Sequence, residues 1–233
     1  MLTLRREIDI LKEQQHAEIR KGLVAVFPVI IGYLPVAIGF GLLAKNSGIS
    51  FIDTSLFSIV VYAGASQFMA LDLIIAGVST SSIILATFLL NLRHLMMTAS
   101  LSLRFEDINR SVLPIIAFGV TDETFSVLSF TKGKLTQQFV LILNGLAYLA
   151  WVGGTMLGFL VGEILPQSLQ DTLSIGLYAM FAALLFPQFK GSKIILKLAI
   201  ITAIIYIIVF YSKFFTSGWD IIIGIVLASA LGA

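Results

Sequence analysis

Cysteine is absent from the 233 residues, which excludes disulfides, thiolate nucleophiles and cysteine metal sites. Charge is scarce as well: 12% of residues are Asp, Glu, Lys or Arg, against 58% hydrophobic residues and a mean hydropathy of +1.00. A soluble domain of this length needs far more charge to cover its surface. The net charge is only +2, so no polyanion affinity follows from the total. Histidine occurs twice, at His16 and His94. What remains is an all-α, polytopic helical membrane protein.

Residues 1–21 are polar and carry five Lys/Arg. Leu4, Ile8 and Leu11 share a helical face, so this cytoplasmic tail is either a short amphipathic surface helix or disordered. The apolar run after it is too long for the h-region of a cleavable signal, so it reads as an uncleaved first span. Residues 22–233 form a single transmembrane domain. Its expected spans are 22–44, 53–76, 81–103, 112–130, 138–162, 173–186, 198–211 and 219–231. The last three are short of the about 20 residues needed to cross, which leaves six to eight spans, some broken by Pro or Gly.

The first span holds Pro28, Pro35, Gly32, Gly39 and Gly41, which fits either broken backbone or a simple proline kink. With the N-terminus inside and eight spans, ten Lys/Arg fall on the inner side and four on the outer, as positive-inside bias requires. Asp53-Thr-Ser-Leu with Tyr62-Ala63 echoes Asp171-Thr-Leu-Ser with Tyr178-Ala179. An internal repeat is one reading of that echo, chance the other.

Two polar knots interrupt the apolar runs. Arg93 and His94 stand about 18 Å along the third span, near mid-bilayer. Asp122 and Glu123 reach a similar depth in the fourth. A charge there costs roughly 2.5–3.5 kcal/mol on insertion scales. The third and fourth spans are adjacent and antiparallel, so the carboxylates are expected beside Arg93. Two neighbouring carboxylates in low dielectric resist ionising together, so one of them can hold a proton. Helix neighbours point about 100° apart, so one of the two is expected to face the interior.

A guanidinium, or the donors of an interrupted helix, can hold a substrate carboxylate, and an acid can hold its ammonium. His94 or a carboxylate can carry a coupling proton. The other reading is a structural Arg–Asp pair pinning two helices. Tyr62, Gly64, Ser66, Gln67, Asn91 and Arg93 are the candidate substrate-binding residues; His94, Asp122 and Glu123 are the coupling groups or charge pair. Gly154, Gly158 and Gly162 lie on one helix face and permit close packing.

Enzyme readings fail. Ser66 with His94 lacks the GxSG of an intramembrane serine protease, and no histidine follows residue 94. Neither GxGD nor HExxH occurs. No catalytic residues, metal site or cofactor is expected.

Phe27-Pro28, Gly39-Phe-Gly41, Tyr62-Ala-Gly-Ala-Ser-Gln-Phe68, Asn91-Leu-Arg-His94, Thr121-Asp-Glu-Thr-Phe125, Trp151-Val-Gly-Gly-Thr155 and Tyr178-Ala-Met-Phe181 occur in this order. Together they resemble the AzlC/YgaZ family, the large subunit of a two-component branched-chain amino acid exporter. The resemblance implies proton-coupled export of Leu, Ile or Val, in some members Met, across the cytoplasmic (inner) membrane of a bacterium. It also implies a small hydrophobic partner subunit of the AzlD/YgaH type. A passive channel and a non-transporting scaffold subunit are the alternatives.

Overall fold

The computed structural model describes residues 2–105, 108–162 and 193–212, together with Ser168, Ala182, Phe186 and Phe189. The expected spans 173–186 and 219–231, the Tyr178–Phe181 motif and the Asp171 half of the sequence echo lie outside the described residues. Those described are helical: α1 (Leu2–Asn46), α2 (Phe51–Val60), α3 (Gly64–Ile75), α4 (Thr80–Ser102), α5 (Leu113–Phe118, entered through a 3-10 turn at Arg110–Val112), α6 (Asp122–Phe130), α7 (Gln137–Val161) and α8 (Lys193–Ser212). Gln15–Asn46, Thr80–Ser102 and Gln137–Val161 are long and apolar enough to cross a membrane.

The tail and the first span form one continuous helix, and neither Pro28 nor Pro35 breaks it. Both prolines lie on its exposed face, where a missing N–H and a bulky ring meet no neighbouring helix among the described residues. The opposite face buries Val26, Val29, Tyr33, Ala37 and Phe40. It packs along α7 in parallel: Glu18 accepts a hydrogen bond from Thr136, Lys21 sits over the Phe139 ring, and Ile38 meets Gly158. A Cβ on Gly158 would lie 2.1 Å from the Ile38 carbonyl oxygen, and one on Gly41 2.0 Å from that of Thr155. Gly154 abuts Ala37 and Gly162 abuts Leu42. The close approach of the two helices therefore depends on residues without side chains.

The expected second span does not cross. α2 starts beside the far end of α7, with the Phe51 and Phe159 rings 5.4 Å apart. It then descends until Tyr148 donates to the Ile59 carbonyl at 3.0 Å. The chain turns at Tyr62, whose φ of 44° is the one positive value on a non-glycine among the described residues. α3 climbs back, because Gln67 meets Trp151, Phe68 meets Phe40, and Leu71 and Ile74 share a cavity with Ala44 and Asp53. At 1.5 Å per residue the arms are about 15 and 18 Å long, half of a hydrocarbon core of about 30 Å. This is a re-entrant hairpin entering from the side where α1 ends, here the distal side.

The expected fourth span is a second hairpin, from the opposite, proximal side. Its mouth is closed by Arg104, just past α4. That guanidinium donates to the carbonyls of Leu128 (2.7 Å), Ser129 (2.9 Å), Thr131 and Gly133 (2.8 Å). The backbone N–H of Asn109 bonds Gln137 at the start of α7. Residues 104–105, 108–110 and 131–137 thus lie on one side, not two. Between them α5 rises until Asn144 donates to the Ile116 carbonyl at 3.2 Å. The tip is Gly119-Val-Thr121, and α6 returns. α6 therefore runs parallel to the inner half of α4, where antiparallel spans were expected.

The order that results is a crossing helix, a hairpin from the distal side, a crossing helix in the opposite sense, a hairpin from the proximal side, then α7. Residues 15–75 and 80–130 form an inverted pair, a plan that recurs in transporters. It is a different repeat from the Asp53/Asp171 echo. Non-helical backbone at membrane depth is tolerated only where protein surrounds it. Both tips meet that condition: Ala63, Val120 and Thr121 are buried.

Candidate functional site

The two tips meet at mid-depth, between α1, α4 and α7. Tyr62 packs its ring against Tyr148 (5.0 Å) and Phe118 (5.9 Å), so one tip touches the foot of the other. Around them lies a cavity of about 20 Å³, lined by Tyr33, Tyr62, Gly64, Ala65, Arg93, His94, Thr121, Asp122, Glu123 and Trp151. That is room for about one water molecule. The space is too small for a larger solute in this conformation.

Each wall has a local cause. α6 begins at Asp122 because Thr121 and Thr124 form a reciprocal cap: each accepts the other's backbone N–H, at 3.3 and 2.8 Å. The first turn of α6 thereby presents Asp122 and Glu123 together. Asp122 pairs with Arg93 at 2.8 Å. Glu123 accepts a 2.7 Å hydrogen bond from the Tyr33 hydroxyl, which also shares a short hydrogen bond with Thr121. Both carboxylates line the cavity, where one was expected. At a helix start beside a tip, side chains 100° apart still reach one small space.

α3 starts at Gly64 with no side-chain cap. Its first free N–H groups, and the positive end of its dipole, stand at the cavity wall. Gly64 abuts Trp151 so closely that a Cβ would lie 2.7 Å from the indole. Two more donors, the Tyr62 hydroxyl and the Arg93 Nε, are enclosed and make no hydrogen bond of good geometry among the described residues. An unsatisfied buried donor costs about 1–3 kcal/mol. Two such donors on residues that line one cavity are suited to an acceptor that this conformation does not hold.

Of the residues expected to bind substrate, Tyr62, Gly64 and Arg93 line the cavity, and His94 joins them. Ser66, Gln67 and Asn91 do not. Ser66 donates to the Ala63 carbonyl at 2.9 Å. Gln67 accepts from the Trp151 indole (2.9 Å) and the Ala63 N–H (3.2 Å), and donates to Ser58 (2.9 Å). Ser58 in turn shares a 2.8 Å hydrogen bond with Thr155. This buried chain ties both arms of the distal hairpin to α7. Asn91 sits two residues before Arg93, on a different face of α4, and its Oδ1 is buried without a partner. Gly154, Gly158 and Gly162 serve the α1–α7 contact, away from the cavity.

Tyr33 and Trp151 were missed as site residues, whereas Thr121 belongs to the second polar knot of the sequence, with Asp122 and Glu123, and had been given no role of its own. Tyr33 left a signal: it is the one hydroxyl in the apolar run 22–44, at the same depth as the polar knots. Trp151 left less, because an indole in a helix more often packs than binds.

Comparison with known proteins bears on these residues. The family model described as "AzlC protein" matches residues 28–165. The chain belongs to the AzlC family. It is 39% identical over 184 residues to an uncharacterized membrane protein of Archaeoglobus fulgidus, covering 76% of this chain and 79% of that one. To the inner membrane protein YgaZ of Escherichia coli K12 it is 30% identical, over 76% of each chain. To the branched-chain amino acid transport protein AzlC of Bacillus subtilis 168 it is 25% identical, over 78% of this chain and 72% of that one. No solved structure matches. The AzlC match covers α4, both hairpins, α7 and all of the cavity, and it is a match to a membrane transporter family rather than an enzyme family.

Proposed function

We propose that this AzlC protein is the large subunit of a secondary exporter of branched-chain amino acids. It acts in the cytoplasmic membrane with its N-terminus inside, together with a small AzlD-type subunit, and is coupled to protons. The observation that carries this reading is the set of unmatched groups at the hairpin tips. The free N–H groups of α3, the Tyr62 hydroxyl and the Arg93 Nε suit a carboxylate. Asp122 and Glu123 lie beside them and suit an ammonium. A zwitterion needs both signs within one small space. Of the 11 Lys/Arg up to residue 162, nine fall on the proximal side and Lys45 alone on the distal side, which supports N-in more strongly than an eight-span count does.

The residues then have distinct parts. Arg93 and the α3 terminus orient the solute carboxylate. Asp122 exchanges Arg93 for the ammonium as the solute enters. Glu123, hydrogen-bonded to Tyr33, is the group that takes the coupling proton. Trp151 and Tyr62 supply apolar walls, which distinguish one methylene by only about 1–3 kcal/mol, so overlapping aliphatic substrates are expected. The cavity holds about 20 Å³, far below an amino acid, so a hairpin tip must withdraw to admit one. A site that must rearrange to admit its solute suits a carrier rather than an open pore.

The test is efflux from cells lacking their own exporters, preloaded with isoleucine or valine as dipeptides. Fast efflux that needs the small subunit and falls at least about tenfold with Arg93→Ala is the expected result, the size of one lost charged hydrogen bond. Efflux at the rate of empty cells, with the paired complex present in the membrane, would rule out this substrate class.

A further inference from the structure

α4 is the least covered of the three long apolar helices. The other two bury 39% and 44% of their most apolar stretch, and α4 buries 6%. Its open face runs from Leu85 to Leu103, about 27 Å at 1.5 Å per residue and nearly the full hydrocarbon depth. Lipid can cover apolar side chains, so the informative part of this face is its edge. Arg93 stands there, one turn before Met96 and two before Ser100. The side chains of Arg93 and its partner Asp122 are 32% and 26% exposed. The chamber at the tips offers the pair about one water. An ion pair partly open to acyl chains at mid-depth is costly. A neighbouring helix with a polar side chain at that level would complete it.

The inverted repeat says how such a helix would lie. Ala63 and Thr121 precede the returning arms of the two hairpins and are 58 residues apart. The same shift carries Leu34, Ala37, Ile38, Gly41 and Leu42, where α1 meets α7, onto Leu92, Leu95, Met96, Ala99 and Ser100. All five of these are exposed. The face that α7 covers in the first repeat is thus bare in the second. The family match ends at residue 165, just past α7, and among the described residues none of α1 to α7 lies on this face. The unit by which the family is known therefore leaves it open to another chain. A second copy fits it poorly, because face-to-face pairing would bring two Arg93 guanidiniums to one depth.

We propose that the open face of α4 docks a transmembrane helix of the small subunit, running in the sense of α4 as α7 runs in the sense of α1. Leu92, Leu95 and Met96 are bulky, so the docked helix carries small residues opposite them. It also carries a hydrogen-bonding side chain at the level of Arg93, which takes the flank of the Arg93–Asp122 pair out of lipid. The identity of the partner rests on the export reading. The inference deepens that reading by giving the second chain a place beside the charge knot.

The test uses the chain co-expressed with a tagged small subunit, with photoreactive p-benzoylphenylalanine in place of Met96, or of Ile31 on the exposed face of α1. Irradiation is expected to join the chain to the small subunit from the Met96 position, and at least several-fold less from that of Ile31. Ala99→Trp enlarges an exposed residue, so the thermal stability of the isolated chain should hold while the small subunit is lost on purification. Ala99→Ser should keep it. An adduct from the Met96 position with a second copy, with residues of the same chain beyond 165, or with lipid alone overturns the docking face. So does a small subunit that stays bound to Ala99→Trp. Where that variant lowers thermal stability, the photo-adduct decides. Leucine efflux in the same cells separates the two readings. The adduct without efflux would sink export and leave the docking face standing. Efflux that needs the small subunit, without the adduct, would sink the docking face alone.

Discussion

The side chains at mid-membrane divide into those whose hydrogen bonds are spent and those whose are not. Gln67 uses its carbonyl twice and its amide once on protein partners. It has little left for a solute, which is why a residue expected as a ligand is a brace instead. Tyr62 is the converse. Its ring is held by Tyr148 and Phe118, while its hydroxyl makes no hydrogen bond of good geometry among the described residues. Its backbone sits in the left-handed region at a cost of about 1–2 kcal/mol. Strain and an unpaired donor on one residue mark it for function rather than for packing. Tyr62→Phe is therefore expected to leave thermal stability unchanged, or to raise it by about 1 kcal/mol. It should also raise the KM for leucine efflux about tenfold, the worth of one hydrogen bond to a charged group. A drop in stability with unchanged KM would show that the hydroxyl serves the fold.

The hairpins are where sequence and structure part. Their arms are as apolar as spans, and composition cannot tell a helix that crosses from one that turns back. Yet the signals were present. Tyr62-Ala-Gly64 and Gly119-Val-Thr121 each divide a run into arms of roughly ten residues, too short to cross. The charges of Arg104 and Arg110 were assigned to the outer face because an eight-span count required it. Arg104 instead closes the mouth of the proximal hairpin. The polar knots were legible because each charge at depth needs a reason. Which partners they meet was less legible, since Tyr33 and Trp151 reach the cavity from helices distant in sequence. A topology assay decides between the two arrangements. Single cysteines replacing Ser111 and Lys132 should both react with an impermeant maleimide from the side of the N-terminal tail. Cysteines replacing Ser47 and Ser79 should react from the other side. Labelling of the first two from opposite faces would restore the eight-span plan.

At the scale of the whole molecule, two hairpins enter from opposite sides and touch at one chamber, so withdrawing either tip opens the chamber to one side only. The tips are not held alike. The distal hairpin is fastened to α7 by neutral, fully buried hydrogen bonds through Gln67, Ser58 and Thr155. The proximal hairpin has neutral bonds of its own, Asn144 to Ile116 and Tyr33 to Thr121, but its tip is also held by ionisable groups, with Asp122 on Arg93 and Glu123 on Tyr33. On the export reading, a proton and a zwitterion compete for these charged contacts and not for the neutral ones, which makes the proximal tip the gate that they release. Asp122→Asn removes the charge that holds Arg93, and so imitates a latch released by solute, without removing bulk. It is expected to speed alkylation of a cysteine replacing the buried Val120, from the proximal side, by several-fold, while a cysteine replacing Ala63 reacts from the distal side at its original rate. Equal acceleration at both tips would mean that the Arg93–Asp122 pair merely holds the bundle together. Acceleration at Val120 alone ties the charge knot to one gate. It would also give the solute a direction: releasing the Arg93–Asp122 latch opens the chamber to the side from which an exported solute must enter.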